Sequence, residues 1–139
     1  MFKKIFNKKK ENSDKYVLIG ALLIHAAKID NIYSEEEKKI IKKAIINLDQ
    51  TNSNEIETIF KKAEKKEEES NQILEFTKEI KKYSPDFKFK IIEILWKIVY
   101  SDGTNDIYES NLIRRVCGLL YISDKDNGII KLKVQKKLK

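Results

Sequence analysis

Cysteine occurs once in this chain, at Cys117, which excludes an internal disulfide and any zinc cluster built on cysteines. Proline also occurs once and glycine four times, too few for the many tight turns of an all-β domain. The single histidine, His25, leaves one pairing for a Cys–His nucleophile, and nothing in the pattern brings those two residues together. Cys117 falls on an apolar helical face and reads as a small core residue; His25, inside an apolar segment, reads as a satisfied core histidine. No apolar run is long enough for a membrane. The run from Tyr16 to Ala27 has twelve residues, against the roughly 20 that a bilayer requires. It follows a basic start, as a signal-peptide core does, but Glu11 and Asp14 interrupt that start. The run is also the first half of a repeat, so its removal would break the domain. The chain is therefore expected to keep it and to work in the cytoplasm.

What the sequence has in quantity is charge. Of 139 residues 37% are charged and 41% hydrophobic, the balance of one soluble helical domain with a real core. The net charge of +7 suggests nucleic acid until it is divided along the chain. Residues 1–15 carry six lysines against two acids and residues 125–139 six against one, which leaves the body between them mildly acidic. A lysine-rich solvated surface, rather than phosphate recognition, follows, and no nucleic-acid partner is expected. Residues 1–14 read as a flexible basic arm, in which Phe2, Ile5 and Phe6 can form a short amphipathic turn; residues 15–139 form the domain.

Apolar spacing predicts helices throughout. The first covers about 15–29 and is apolar on most faces, which implies several neighbours. The second runs from Ser34, which forms a capping box with Glu37, to about Leu48. A third runs from about Asn54 into Lys66, and Ser70 is a cap candidate for a fourth carrying Ile73, Leu74, Phe76 and Ile80. Ser84-Pro85 opens a fifth over about 86–101, as apolar all round as the first, so these two are expected to pack centrally together. A sixth starts at Asp106 and ends near Tyr121, and Ser123 with Asp126 introduces one more. No stretch alternates with period two. The fold class is all-α, a single internally duplicated bundle of about six to eight helices.

The duplication is the organising feature. Ile29-Asp30-Asn31-Ile32-Tyr33-Ser34-Glu35-Glu36-Glu37 recurs as Ser101-Asp102-Gly103-Thr104-Asn105-Asp106-Ile107-Tyr108-Glu109. Each copy follows an apolar helix and leads into an amphipathic one. Asp30 and Asp102 end a helix, where the macrodipole disfavours an anion by about 0.3–1 kcal/mol, so amide donors, a lysine or a cation should compensate. Glu37 and Glu109 start the next helix across a short connection, and Asp106, Thr104 and Asn105 add oxygens of the kind Ca²⁺ or Mg²⁺ prefers. The spacing is not that of an EF-hand. The competing reading is capping and turn chemistry, for which a capping box needs an acid where Glu37 and Glu109 stand. Both readings can hold for one carboxylate. The only arginines, Arg114 and Arg115, follow the second turn; pairing with Glu109 or Asp102 is one purpose and partner binding another. Trp96, Tyr100 and Tyr108 read as packing residues.

The pattern A-x-x-D-N-x-x-S-x-E-E from Ala27, followed by V-Y-S-D-G-T-N-D-x-Y-E-x-x-L-I-R-R-V-x-x-L-L from Val99, resembles the TerB-like family. That family includes tellurite-resistance protein B and the N-terminal domain of the membrane-anchored co-chaperone DjlA. The resemblance covers about residues 16–130 and is strongest at 94–122. It implies an all-helical duplicated bundle, a link to tellurite and other stress responses, and divalent-cation binding at the acidic turns, without enzymatic activity. Carried over by position, the implied site residues are Asp30 and Glu37 in the first turn and Asp102 and Glu109 in the second. The first copy departs from the pattern in having Asn31 where the family usually has Gly; Asn tolerates the same left-handed turn. Neither a J-domain nor a transmembrane helix accompanies the pattern, so the expectation is a stand-alone TerB-like protein.

The expected function is a non-enzymatic helical module with its metal residues at Asp30, Glu37, Asp102, Asp106 and Glu109 and a divalent cation, Ca²⁺ or Mg²⁺, as ligand. The alternative is an adaptor on a protein partner or an anionic membrane surface. It would act through the basic tails, where lysines near such a surface add about 1 kcal/mol each. A hydrolase lacks a nucleophile–base pair or a phosphate loop to go with the carboxylates.

Overall fold

The computed structural model describes residues 2–29, 33–49, 55–101 and 107–137, with 2–13, 49 and 107–109 as backbone alone. Seven helices make up the described residues: α1 (Phe2–Lys28), α2 (Glu35–Asp49), α3 (Ile56–Glu69), α4 (Leu74–Ile80), α5 (Pro85–Tyr100), α6 (Ile107–Leu119) and α7 (Asp124–Lys137). The all-α expectation holds.

The first helix begins at Phe2 rather than near residue 15, so the backbone of the segment read as a flexible arm is helical. The physical reason lies in composition. No glycine or proline separates Phe2 from Ile19, lysine and glutamate are good helix formers, and a helix nucleated by packing propagates cheaply. A second difference concerns Ser70. It does not cap α4, whose N-cap is Ile73; its hydroxyl instead donates to the Lys66 carbonyl at 2.7 Å and closes α3. Ser84 does cap α5, accepting from the Phe87 amide at 3.3 Å with Pro85 in the first helical position. Ser123 likewise accepts from Asp126 at the start of α7.

One core draws side chains from all seven helices. In α1, Ile19, Ala21, Leu22, Leu23, Ile24 and Ala27 are fully buried, which explains the all-round apolar character of its second half. α1 touches α2, α3, α4 and α5. Its most extensive contact runs along α3 rather than the expected α5, which packs most against α7. Small residues make that contact possible: a Cβ on Gly20 would stand 2.9 Å from the Ala63 Cβ and 3.3 Å from Ile45 Cδ1. A lysine takes part in the interior as well. Lys88 is 8% exposed, and its ammonium donates to the Leu120 carbonyl at 2.9 Å and the Lys81 carbonyl at 3.4 Å. A cation thus meets the carbonyl ends of α6 and α4, where the helix dipole favours one.

Candidate functional site

The described side of the first acidic turn starts with the last turn of α1, which carries His25 and Lys28, the lysine's charge being favourable at a helix C-terminus. Both reach across to α3. Lys28 Nζ donates to Glu67 Oε2 at 2.9 Å, and His25 Nδ1 lies 3.4 Å from Glu67 Oε1. Beyond the turn, the Tyr33 hydroxyl donates to Glu64 Oε2 at 3.5 Å, and its ring lies 5.4 Å from the Lys28 ammonium and 4.9 Å from that of Lys38. Burial, and then the Glu64 carboxylate, raise the Tyr33 phenol well above its ordinary pKa. Ser34 and Glu37 then form the expected box. The Ser34 hydroxyl accepts from the Glu37 amide at 3.0 Å, while Glu37 Oε1 accepts from the Ser34 amide and hydroxyl, both at 3.1 Å. Glu37 is only 5% exposed, so this carboxylate is a buried part of the α2 start.

At the second turn, α5 closes with the Ser101 amide and hydroxyl both donating to the Ile98 carbonyl, at 3.2 and 2.6 Å. The chain is described again from Ile107, and Glu109 is the third residue of α6, as backbone. Asp30, Asp102 and Asp106 lie outside the described residues. Of the five residues expected to hold a cation, Glu37 is therefore the one whose carboxylate is described. Among the described residues no group of three or more His, Cys, Asp or Glu side chains is arranged to hold a metal ion.

Between the two turns in sequence, and walled by the helices that leave and enter them, lies a groove of about 660 Å³ formed by α2 and α5. Ile40, Ala44 and Leu48 line it from α2 at helical spacing, and Ile94 and Tyr100 from α5. Exposed Lys43, Lys90 and Lys97 stand at its margins with Glu36 and Glu93, and Ser101 is a lining residue at the second turn. Glu93 is 17% exposed and has Lys137, Lys133 and Lys97 at 3.3, 3.7 and 3.9 Å. Burial alone would raise its carboxyl, but the Lys137 hydrogen bond and the charges of Lys133 and Lys97 outweigh it and hold the pKa below the usual carboxylate range.

Sequence reasoning missed Glu67, Glu64 and Glu93. The first two were hidden inside a mixed-charge stretch that reads as a solvated face, and their partners stand far away in sequence, on α1 and just before α2. Only the helical spacing of Glu64 and Glu67 with buried Phe60 and Ala63 hints at their inward edge. His25 is a correction: its side chain is 37% exposed and paired with Glu67 at the surface of α1, not enclosed in the core. Arg114 lies 4.0 Å from Asp124, both well exposed, a geometry that contributes little. Trp96 is the packing residue expected: it is buried, its Nε1 donates to Asn127 at 2.9 Å, and its ring stacks on Tyr100 at 5.8 Å. Cys117 is buried, and desolvation, with Asp124 nearby, pushes its thiol up to about 12, so no thiolate nucleophile forms near neutral pH. None of the described helices is long and apolar enough to cross a membrane.

Residues 17–132 match the family model for tellurite resistance protein TerB, and the chain belongs to that family. No curated protein and no solved structure matches it.

Proposed function

We propose that this TerB-family chain is a non-enzymatic helical module that takes a divalent cation, Ca²⁺ or Mg²⁺, at its acidic turns. Tellurite or metal stress in the cytoplasm is the setting proposed, on the strength of the family description alone. The observation that carries the reading is Glu37. A carboxylate only 5% exposed, whose Oε1 accepts from Ser34, starts the helix that follows a sequence repeated with the same spacing before Glu109. Hard cations prefer such oxygen ligands, and a ligand already immobilised in the free protein loses little entropy on binding.

The test is a calorimetric titration of Ca²⁺ and Mg²⁺ into the wild type and into Asp102→Asn with Glu109→Gln. A dissociation constant in the sensor range, about 10⁻⁷–10⁻⁵ M, weakened at least tenfold in the variant, is the expected result. Absence of heat and of any thermal shift with either ion contradicts it.

A second reading, an adaptor acting on a protein partner or an anionic membrane through the basic tails and the helical surface, is favoured by the lysine-edged groove between α2 and α5.

A further inference from the structure

The groove between α2 and α5 has a length, a floor and a charge, and together they specify an occupant. Its α2 wall runs from Glu36 to Leu48 and its α5 wall from Lys90 to Ser101, so each is about 16–18 Å long at 1.5 Å per residue. That is about three helical turns. Ile40, Ala44 and Leu48 lie four apart, which makes the floor one continuous stripe of α2 facing Ile94 and Tyr100 of α5. Two helices side by side with an apolar stripe between them form the usual seat for a third, amphipathic helix.

Among the described residues the net charge around the floor is positive. Lys43, Lys90 and Lys97 line the groove, and Lys133 and Lys137 of α7 join it through Glu93, so five lysines stand against Glu36 and Glu93. Among the described residues Lys43 and Lys90 form no ion pair. Glu93 is already shared by three ammonium groups and cannot neutralise more. An apolar trench edged this way is complementary to acidic side chains flanking an apolar stripe, and disfavours a basic helix.

The geometry points to the α2–α5 groove as the docking site for an acidic amphipathic helix of a partner protein. Its apolar residues at i, i+3, i+4 and i+7 enter the trench and its carboxylates meet Lys43, Lys90 and Lys97. The inference rests on the adaptor reading and does not depend on the cation.

The probe is a fluorescein-labelled helical peptide with leucines at that spacing and glutamates at the flanking positions. Its control is a shuffled peptide of identical composition that has lost the helical period. Fluorescence anisotropy with the full chain at physiological salt is expected to show the patterned peptide binding roughly tenfold or more tighter than the shuffled one. Lys90→Glu with Lys97→Glu changes exposed side chains only and is expected to weaken the patterned peptide at least tenfold. Ala44→Tyr, which fills the trench without changing its charge, is expected to do the same. Binding unaffected by Ca²⁺ and by Asp102→Asn with Glu109→Gln keeps the inference separate from the cation site. Equal affinity for the two peptides overturns it, because a charged patch alone would suffice. So does no binding of either, or flotation with phosphatidylglycerol vesicles that Lys90→Glu with Lys97→Glu abolishes while the peptide fails to bind, which would give the groove to a lipid surface.

Discussion

Tyr121 is the residue at which the described backbone departs furthest from what its side chain prefers. It has a φ of 61°, in the left-handed region, and is 78% exposed. The conformation ends α6: the Ile122 amide reaches back to the Cys117 carbonyl at 2.8 Å and the Tyr121 amide to Gly118 at 3.3 Å, the closure that usually carries glycine. Because the exposed ring packs little, Tyr121→Gly is expected to stabilise the protein by about 1 kcal/mol, read as a higher denaturation midpoint at unchanged slope. A lower midpoint would mean that the ring makes a contact worth more than the strain. Glu93 yields a second prediction at this scale. Its pKa is depressed in the fold, so the stability it contributes is complete above the ordinary carboxylate range and is lost as pH falls through the depressed value. Glu93→Gln should therefore melt lower than wild type at neutral pH, and the two melting curves should converge in strong acid. A constant gap across the whole acid range would rule out the three-lysine account of this carboxylate.

Among the elements, α1 and α3 approach where Gly20 faces Ala63. Alanine at position 20 would favour the helix by roughly 1 kcal/mol but must displace a rigid Cβ at 2.9 Å, for which overpacking costs about 1–3 kcal/mol. Gly20→Ala is thus expected to destabilise, and to become neutral or stabilising in an Ala63→Gly background. Additive effects in that thermal-denaturation cycle would refute the close contact. This approach was not legible in the sequence, where Gly20 is one small residue in an apolar run and its partner lies on another helix. Local signals fared better. Ser34 with Glu37, Ser84 with Pro85, and Ser123 all cap helices as their spacing indicates, because a cap depends on residues three apart. Ser70 misled for the same reason: a hydroxyl that can cap the following helix can equally satisfy the carbonyls of the preceding one.

For the whole molecule, the duplicated apolar helix, acidic turn and amphipathic helix made the all-α bundle readable, and the matching family model agrees with it over residues 17–132. The pairing of helices was not readable, since α1 against α3 and α5 against α7 depend on which apolar faces meet, and residues 16–27 of α1, like α5, are apolar on nearly all of theirs. The candidate site divides in the same way. Glu37 was found from its spacing as a capping acid, whereas Glu67, Glu93 and the groove exist only where separate helices converge.

The central claim is that the acid at the first turn serves a cation as well as a cap, and two substitutions separate those roles. Gln at position 37 can still accept from Ser34 in a capping box but carries no charge, while Ser34→Ala removes the capping hydroxyl and leaves the carboxylate. The measurement is the Ca²⁺-induced and Mg²⁺-induced shift in Tm of wild type, Glu37→Gln and Ser34→Ala by scanning calorimetry. Ser34→Ala should be less stable by about 1 kcal/mol yet keep its cation shift, and Glu37→Gln should lose the shift. A wild-type protein whose Tm neither ion moves, or a Glu37→Gln variant that responds as the wild type does, contradicts the account.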